Sequence, residues 1–405
     1  MKQLIRQPSY DVNNRPFMII WETTHACDLA CRHCRAEAIP HHDPLTLNTE
    51  AAKRLLEQVD QFGKPRPIFI FTGGDPFKRD DLFELLAYGN QLGLAMAVSP
   101  SGTPLLNREN LRKIKENGGK AISLSIDGST PARHDDFRQV PGSFELTTRG
   151  WQTARELGLK LQLNTTVTRY NLDDLPNIFK LVLEYGAMTW SVFFLVPTGR
   201  GKAEDEVSPA EYEAVMHFLY DCSKYISAKT TEGHHYKRVV LQRSILDDKG
   251  LNHEDYFDLH PIYYQLREQL EKIVAEHGIQ PRETIFRTPM HINAGNGFVF
   301  ISRRGEVFPS GFMPISVGNV KEKSLVDIYR EAPLFNALRD PSQYEGRCGL
   351  CEFVGVCGGS RSRAYAVTGD PLAEEPFCTY EPGSFPFQAE LEARLSEKQT
   401  APMMG

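Results

Sequence analysis

The sequence predicts an α/β fold built on a parallel sheet, and three observations carry that prediction. Six short β-branched or aromatic runs, at residues 17–21, 67–71, 95–99, 121–126, 159–166 and 189–195, alternate with helical patterns at 48–62, 79–92, 108–117, 144–157 and 172–185. The helical stretches stop at Gly63, Gly93, Gly118, Gly158 and Gly186, where glycine accepts the left-handed cap conformation. The runs are nearly all apolar, as strands are when both sheet faces are buried. Strands alternating with helices imply parallel pairing through right-handed crossovers.

Residues 1–16 form a short N-terminal arm, and 17–207 carry the six strand–helix units. Residues 208–290 form a bridging region. It opens on Ser208-Pro209-Ala210-Glu211, a capping box with proline at the first helical position. A polar, irregular stretch is expected at 225–252 and a helix at 262–276. In the smaller C-terminal unit, 291–390, the runs 298–302 and 306–308 flank Arg303-Arg304-Gly305 as a β-hairpin, and an amphipathic helix follows at 325–338. Residues 391–405 read as a tail, loose from about Ser396.

Length and composition bound the function. The chain has 405 residues, 41% hydrophobic and 24% charged, enough for one large or two modest domains. Its net charge of −6 demands no basic face, so nucleic acid is not an expected partner. The start has no continuous apolar segment of the signal-peptide kind, and no stretch approaches the roughly 18 apolar residues of a membrane span. Clustered cysteines in such a chain favour metal ligation in a reducing cytoplasm over disulfides.

Seven of the eight cysteines fall into two groups. Cys27, Cys31 and Cys34 read CxxxCxxC in the loop after the first strand, the end of a βα unit where ligands bind. Three thiolates can hold a four-iron, four-sulfur cube by three corners and leave one iron open. Zinc is the alternative, with His25 or His33 as fourth ligand. After the second strand, Gly73-Gly74-Asp75-Pro76 lets backbone approach a ligand closely. Cys348, Cys351, Cys357 and Cys378 form the second group, and four thiolates close a cube completely or bind zinc. Cys222 stands alone in a helix and reads as a small apolar residue.

CxxxCxxC, His33 before its third cysteine and the GGDP segment make residues 17–196 resemble the radical S-adenosylmethionine (SAM) enzymes. The resemblance implies a partial (β/α)6 barrel of the TIM type. It also implies that the open iron chelates the methionyl end of SAM, and that one electron then releases a 5′-deoxyadenosyl radical, which takes a hydrogen atom from substrate. Gly73, Gly74, Asp75 and Pro76 would face the methionyl amine, with a turn-stabilising role as the alternative for Asp75. Ser99, Ser125, Asp127, Asn164 and Val196 end or follow strands three to six and would meet ribose or adenine, with capping of the next helix as the alternative for Asp127. Arg138 suits the SAM carboxylate, or else a surface ion pair with Asp135 or Asp136.

The second cysteine group resembles the SPASM/twitch-type auxiliary domain, an α+β iron–sulfur domain, that follows radical SAM barrels. In the full pattern the positions of Ser310 and Arg361 are cysteines of a first auxiliary cluster. Their replacement here implies a single auxiliary four-iron cluster, hence two clusters in all. LNTTVT, FFLVPTGRG, FRQVPGSF, CGGSRSRAY and AEEPFC are similar to the haem-synthase (iron-coproporphyrin decarboxylase) and haem d1 biosynthesis group. That group implies a tetrapyrrole side chain as substrate and a flavodoxin or ferredoxin as reductant. Relatives of that group carry further cysteines near the hairpin, where this chain has Ile292 and Ser310. Arg200, His234, His235 and Tyr236 are the candidate substrate contacts. The alternatives are maturation of a ribosomal peptide or protein side chain, for which a leader-recognition domain would have to come from another protein, and a non-enzymatic zinc or electron-transfer role.

Overall fold

A computed structural model describes residues 11–282 and 291–396. The first part of the N-terminal arm, residues 283–290 of the bridging region and the tail beyond 396 lie outside the described residues. The six expected strands form in order: β1 (Met18–Glu22), β2 (Ile68–Thr72), β3 (Ala95–Val98), β4 (Gly119–Ser125), β5 (Lys160–Val167) and β6 (Thr189–Phe194). Each pairs in parallel with its sequence neighbour, for example Ile20 opposite Ile70 and Ser125 opposite Asn164. Between them run α1 (Thr49–Asp60), α2 (Leu82–Gln91), α3 (Arg108–Glu116), α4 (Pro131–Arg138), α5 (Ser143–Glu156) and α6 (Leu175–Glu184). Asn48 and Asn107 cap α1 and α3 by accepting from Ala51 N and Asn110 N. This is the partial barrel that the sequence predicts.

The two sheet faces differ, which the uniform expectation of burial missed. Phe69, Phe71, Leu124 and Leu163 are wholly or almost wholly buried under the helices, with Leu55, Leu86 and Ile114. The alternate residues Ile70, Thr72, Ser123, Ser125, Gln162, Asn164 and Thr166 are only partly buried. A barrel of incomplete closure leaves its inner face to line a chamber, and that face carries hydroxyls and amides.

The sheet continues past both expected edges. β7 (Ala228–Thr231) adds in parallel to β6, inside the stretch expected to be irregular. The hairpin of β8 (Phe298–Ile301) and β9 (Val307–Phe308) does not stand apart, because β8 pairs in parallel with β1. The nine-stranded order is β7-β6-β5-β4-β3-β2-β1-β8-β9.

The capping box opens α7 (Pro209–Ser223), whose Cys222 is fully buried in the main core. α8 (Tyr236–Lys249) replaces the second half of the expected irregular stretch. It packs on two sides, so polar residues are buried among its apolar ones: Arg238 pairs with Glu213 and Arg243 with Asp221. No single apolar stripe marks it in the sequence. α9 (Ile262–Glu276) matches expectation. The single helix expected at 325–338 is two, α10 (Leu325–Glu331) and α11 (Pro333–Arg339), because Pro333 cannot continue a helix and serves as a first residue instead. Then come α12 (Gly346–Leu350), α13 (Arg361–Thr368) and α14 (Gln388–Ser396). The start of the expected tail is thus helical, and Leu391 is buried with Leu241 and Ile245 of α8.

Candidate functional site

Beyond β1 and β2 the ladder runs on as backbone: Gly74 N donates to Thr24 O and Asp75 N to Ala26 O, both at 2.7 Å. The Gly-Gly pair is required by this approach. A Cβ on Gly73 would stand 2.4 Å from Thr24 O, and one on Gly74 2.3 Å from Ala26 O. Backbone cannot retreat as a flexible side chain can. The base of the cysteine loop is closed by Cys27 N to Ile39 O at 2.9 Å and Ile39 N to His25 O at 3.0 Å. The glycine turn therefore positions Cys27. Gly74→Ala should displace the loop by about 1 Å and lower SAM cleavage on the order of 100-fold. Iron bound at the C-terminal cysteines should remain, which iron analysis and 5′-deoxyadenosine assay would check.

The Asp75 carboxyl is consumed locally. It accepts from Thr103 Oγ1 at 2.7 Å and from Phe77 N at 3.2 Å, capping the short turn Pro76–Lys78. Burial pushes its pKa up against these hydrogen bonds. The turn-stabilising role left open for Asp75 is thus the one its contacts display.

The three thiols of the loop are gathered with Leu29, Ala38 and Val140. Each has a neighbouring hydrogen-bonding group. Ser101 Oγ lies 3.4 Å from Cys27 Sγ and donates to Gly74 O at 2.9 Å. Arg138 donates to Cys31 Sγ at 3.5 Å, and Ala38 N to Cys34 Sγ at 3.5 Å. Ser101 was not foreseen; its SPSG context after β3 was the available signal. Burial pushes the Cys27 thiol up to about 11, so a thiolate there needs a cation beside it. An iron cluster supplies that charge.

Arg138 makes no surface pair. Asp136 is engaged by Arg32 at 2.9 Å, and Asp135 accepts from Gly142 N and Phe144 N. Arg138 instead pairs with the buried Asp127, which also accepts from Thr166 N at 2.7 Å. Burial opposes the Asp127 charge, but Arg138, His33, His134 and the Thr166 N–H together outweigh it and hold the carboxyl below its usual range. His33 stacks on Phe137 with ring centroids 4.6 Å apart, and burial lowers its pKa to about 4. His25 Nε2 lies 2.9 Å from Glu22 and 2.7 Å from Arg303, so that nitrogen is engaged away from the cysteines. Ser99 bonds Ser123, the Asn164 side chain accepts from Gln162 at 2.8 Å, Ser125 is half-buried, and Val196 is buried.

A carboxylate that sequence reading missed anchors the loop from below. Glu22, at the end of β1, is 2% exposed and receives Arg35, His25 and Arg303. Burial works against its charge, yet Arg35 and His25 hold its pKa at about 2. Arg303 continues to Asp43 at 2.6 Å, and Arg35 lies 4.3 Å over the Phe300 ring. The hairpin and the cysteine loop are joined through this carboxylate.

The four C-terminal cysteines line one cavity with His235, Arg238, Gly359, Glu375 and Tyr380. Gly359 N donates to Cys357 Sγ at 3.4 Å, Glu375 N to Cys348 Sγ at 3.3 Å, and Arg361 to the same sulfur at 3.5 Å. Burial pushes Cys351 up to about 12 and Cys357 higher still. All eight cysteines are free thiols. Among the described residues no three His, Cys, Asp or Glu side chains converge to hold a single ion, so fit is judged on donor chemistry. Four soft thiol donors, with N–H groups already aimed at sulfur, fit an iron–sulfur cube.

The four candidate substrate contacts are dispersed. Arg200 donates to Cys31 O at 3.0 Å and Ala38 O at 3.3 Å, stapling the cysteine loop. Tyr236 is a core residue whose hydroxyl donates to Leu219 O at 3.3 Å. His235 belongs to the C-terminal cysteine cavity. His234 is half-buried, its basicity lowered by burial and by Lys237 and His291 nearby.

Ser310, one of the two positions expected to be cysteine in a fuller pattern, donates to Glu232 at 3.2 Å. Ser360 and Ser362 donate to the same carboxylate, which is 5% exposed. Arg363 binds Glu232 O at 2.8 Å and Leu195 O at 2.6 Å, and pairs with Glu206 at 3.3 Å. This polar cluster ties α13 to the ends of β6 and β7.

An open parallel half barrel with a three-cysteine loop after β1 and a Gly-Gly turn after β2 defines the radical SAM class, and the sequence profile of the Radical SAM superfamily matches residues 21–182. The AdoMet-dependent heme synthase of Methanosarcina barkeri is 39% identical over 92% of this chain and 99% of its own length. That of Nitratidesulfovibrio vulgaris is 40% identical over 90% and 92%. The chain belongs to the radical SAM family that includes these heme synthases. Membership brings SAM and a four-iron, four-sulfur cluster as cofactors. A solved structure of anSMEcpe with bound AdoMet shares the fold, with a TM-score of 0.63 at 15% identity over 95% of this chain and 98% of that one. Among the described residues no helix is long and apolar enough to cross a membrane.

Proposed function

We propose that this radical SAM enzyme acts on the propionate side chains of an iron porphyrin, converting propionate to vinyl. The observation that carries the reading is identity of 39% and 40% to two heme synthases across nine-tenths of the chain. Per side chain the balance is simple. One hydrogen atom is taken from the propionate, carbon dioxide leaves, a carbon–carbon double bond forms, and one electron must be removed.

In this reading Cys27, Cys31 and Cys34 hold the cluster that, when bound with SAM, supplies the 5′-deoxyadenosyl radical. Cys348, Cys351, Cys357 and Cys378 hold a second cluster, which supplies a one-electron station. Gly73 and Gly74 hold the cysteine loop in place, and Ser99, Ser125, Asn164 and Val196 line the SAM side of the chamber. Arg138 is kept cationic by Asp127 and is the candidate for the SAM carboxylate; His33 packs behind the loop. The half-buried inner face excludes bulk water from the reacting carbons once substrate fills it. Residues 17–207 build the chamber, the described part of the bridging region, 208–282, flanks it, and 291–390 carry the second cluster. A reducing cytoplasm suits eight free thiols, and a flavodoxin or ferredoxin would supply the single electron that SAM cleavage needs.

The test is anaerobic titration with iron coproporphyrin III. A Soret shift is expected, followed, with SAM and reductant, by loss of carbon dioxide and two hydrogens per modified side chain in the mass spectrum. No binding and no product, with 5′-deoxyadenosine still formed, would reject the tetrapyrrole and turn the search to peptides.

A further inference from the structure

The cavity of the four C-terminal cysteines has one wall that sulfur chemistry does not explain. His235 forms it and is 0% exposed. Neither ring nitrogen has a hydrogen-bond partner. An imidazole carries at least one N–H whether neutral or charged. Buried polar groups are almost always paired, and an unpaired one calls for a partner.

The neighbours do not meet that need. Arg238 is forked onto Glu213 at 2.9 and 2.6 Å. Arg363 spends its guanidinium on Glu206, Tyr212 and two carbonyls. The Tyr212 ring lies parallel to the imidazole at 6.4 Å, but its hydroxyl donates to Leu195 O. What remains is the content of the cavity itself.

Resting on the second cluster proposed above, the geometry points to His235 as a donor to that cluster: its ring N–H bonds a sulfur of the group held by Cys348, Cys351, Cys357 and Cys378, and raises the group's reduction potential. It would be the fourth such donor, after Gly359 N, Glu375 N and Arg361. Donation to sulfur draws off electron density and favours the reduced state. Four thiolates already saturate a cube, so the imidazole is a positioning and tuning group, not a ligand.

The test uses the full chain reconstituted anaerobically, with 15N-labelled histidine. Signals of the amino-terminal cluster are identified by their change on adding SAM. The reduced second cluster should show a weak histidine-nitrogen coupling in pulsed EPR. In His235→Phe the coupling should vanish while about eight irons per chain remain. Its reduction constant should fall about tenfold, a shift of about 59 mV to lower potential. His235→Gln, which keeps an N–H, should restore most of the shift.

An unchanged potential in His235→Phe, with iron complete, would overturn the assignment. If His235→Phe loses iron, absence of the coupling in the unsubstituted chain would overturn it equally. About four irons in the unsubstituted chain would instead reject the second cluster itself.

Discussion

Replacing Cys27, Cys31 and Cys34 together with alanine is expected to abolish 5′-deoxyadenosine formation and to leave about four of about eight irons per chain. The reason is the separation of the two sulfur sets. The first set sits in a loop closed between Ala26 and Ile39, at the mouth of the half barrel. The second lines a cavity of its own, and two of its members, Cys351 and Cys357, pack with Leu241 of α8, Phe353 and Phe385. Neither set shares a side chain with the other, so emptying one should spare the other. Iron and sulfide analysis with chromatographic assay of SAM cleavage measures both quantities. Cleavage retained in that variant would refute the assignment of the open cluster, and loss of all iron would refute two independent sites.

The second large effect is expected at Arg363. The side chain is 0% exposed and meets Glu206, Glu375, Tyr212 and the carbonyls of Leu195 and Glu232. Arg363→Met leaves buried carboxylates without a cation, which costs about 3–5 kcal/mol. Arg363→Lys should recover little, because an ammonium lacks the fork that spans acceptors just beyond β6 and β7 and in the C-terminal unit. The measurement is urea unfolding: the midpoint should fall with the slope unchanged. A fall below about 1 kcal/mol would mean that the cluster of Glu206, Glu232, Glu375 and the serines adds nothing to docking of α13 on the barrel.

How far the sequence could be read depends on how local each signal is. Six strands were legible because each is a short apolar run, and five helices because each keeps one stripe under the sheet. α8 was not legible, since Arg238 and Arg243 are buried on it by pairing with Glu213 and Asp221 of another helix. β7 reads Ala-Lys-Thr-Thr, with no apolar pattern, and becomes a strand only because the edge of β6 is open to it. The split between α10 and α11 was there to be seen at Pro333.

The candidate site divides the same way. Within each cysteine group and within the Gly-Gly turn the residues are close in sequence, and their spacing carries their chemistry. Glu232 meets Ser310, Ser360 and Ser362 across 78, 128 and 130 residues, and Glu22 meets Arg303 across 281. No local pattern announces such partners. For His235 the sequence identified a notable residue but placed it at the substrate; packing puts it beside the second set of thiols.

What the sequence by itself determined is the donor chemistry, three thiols in one loop and four more between residues 348 and 378, and the parallel order of strands that sets the first loop at the barrel mouth. Both are written in neighbouring residues, through ligand spacing and through hydrophobic runs. Only the tertiary structure decided which carboxylates are tied up, which guanidiniums staple backbone, and which imidazole lines the cavity of the second thiol set. Those outcomes depend on burial and on charge partners brought together from distant segments, and a buried polar group takes its role from the group it meets.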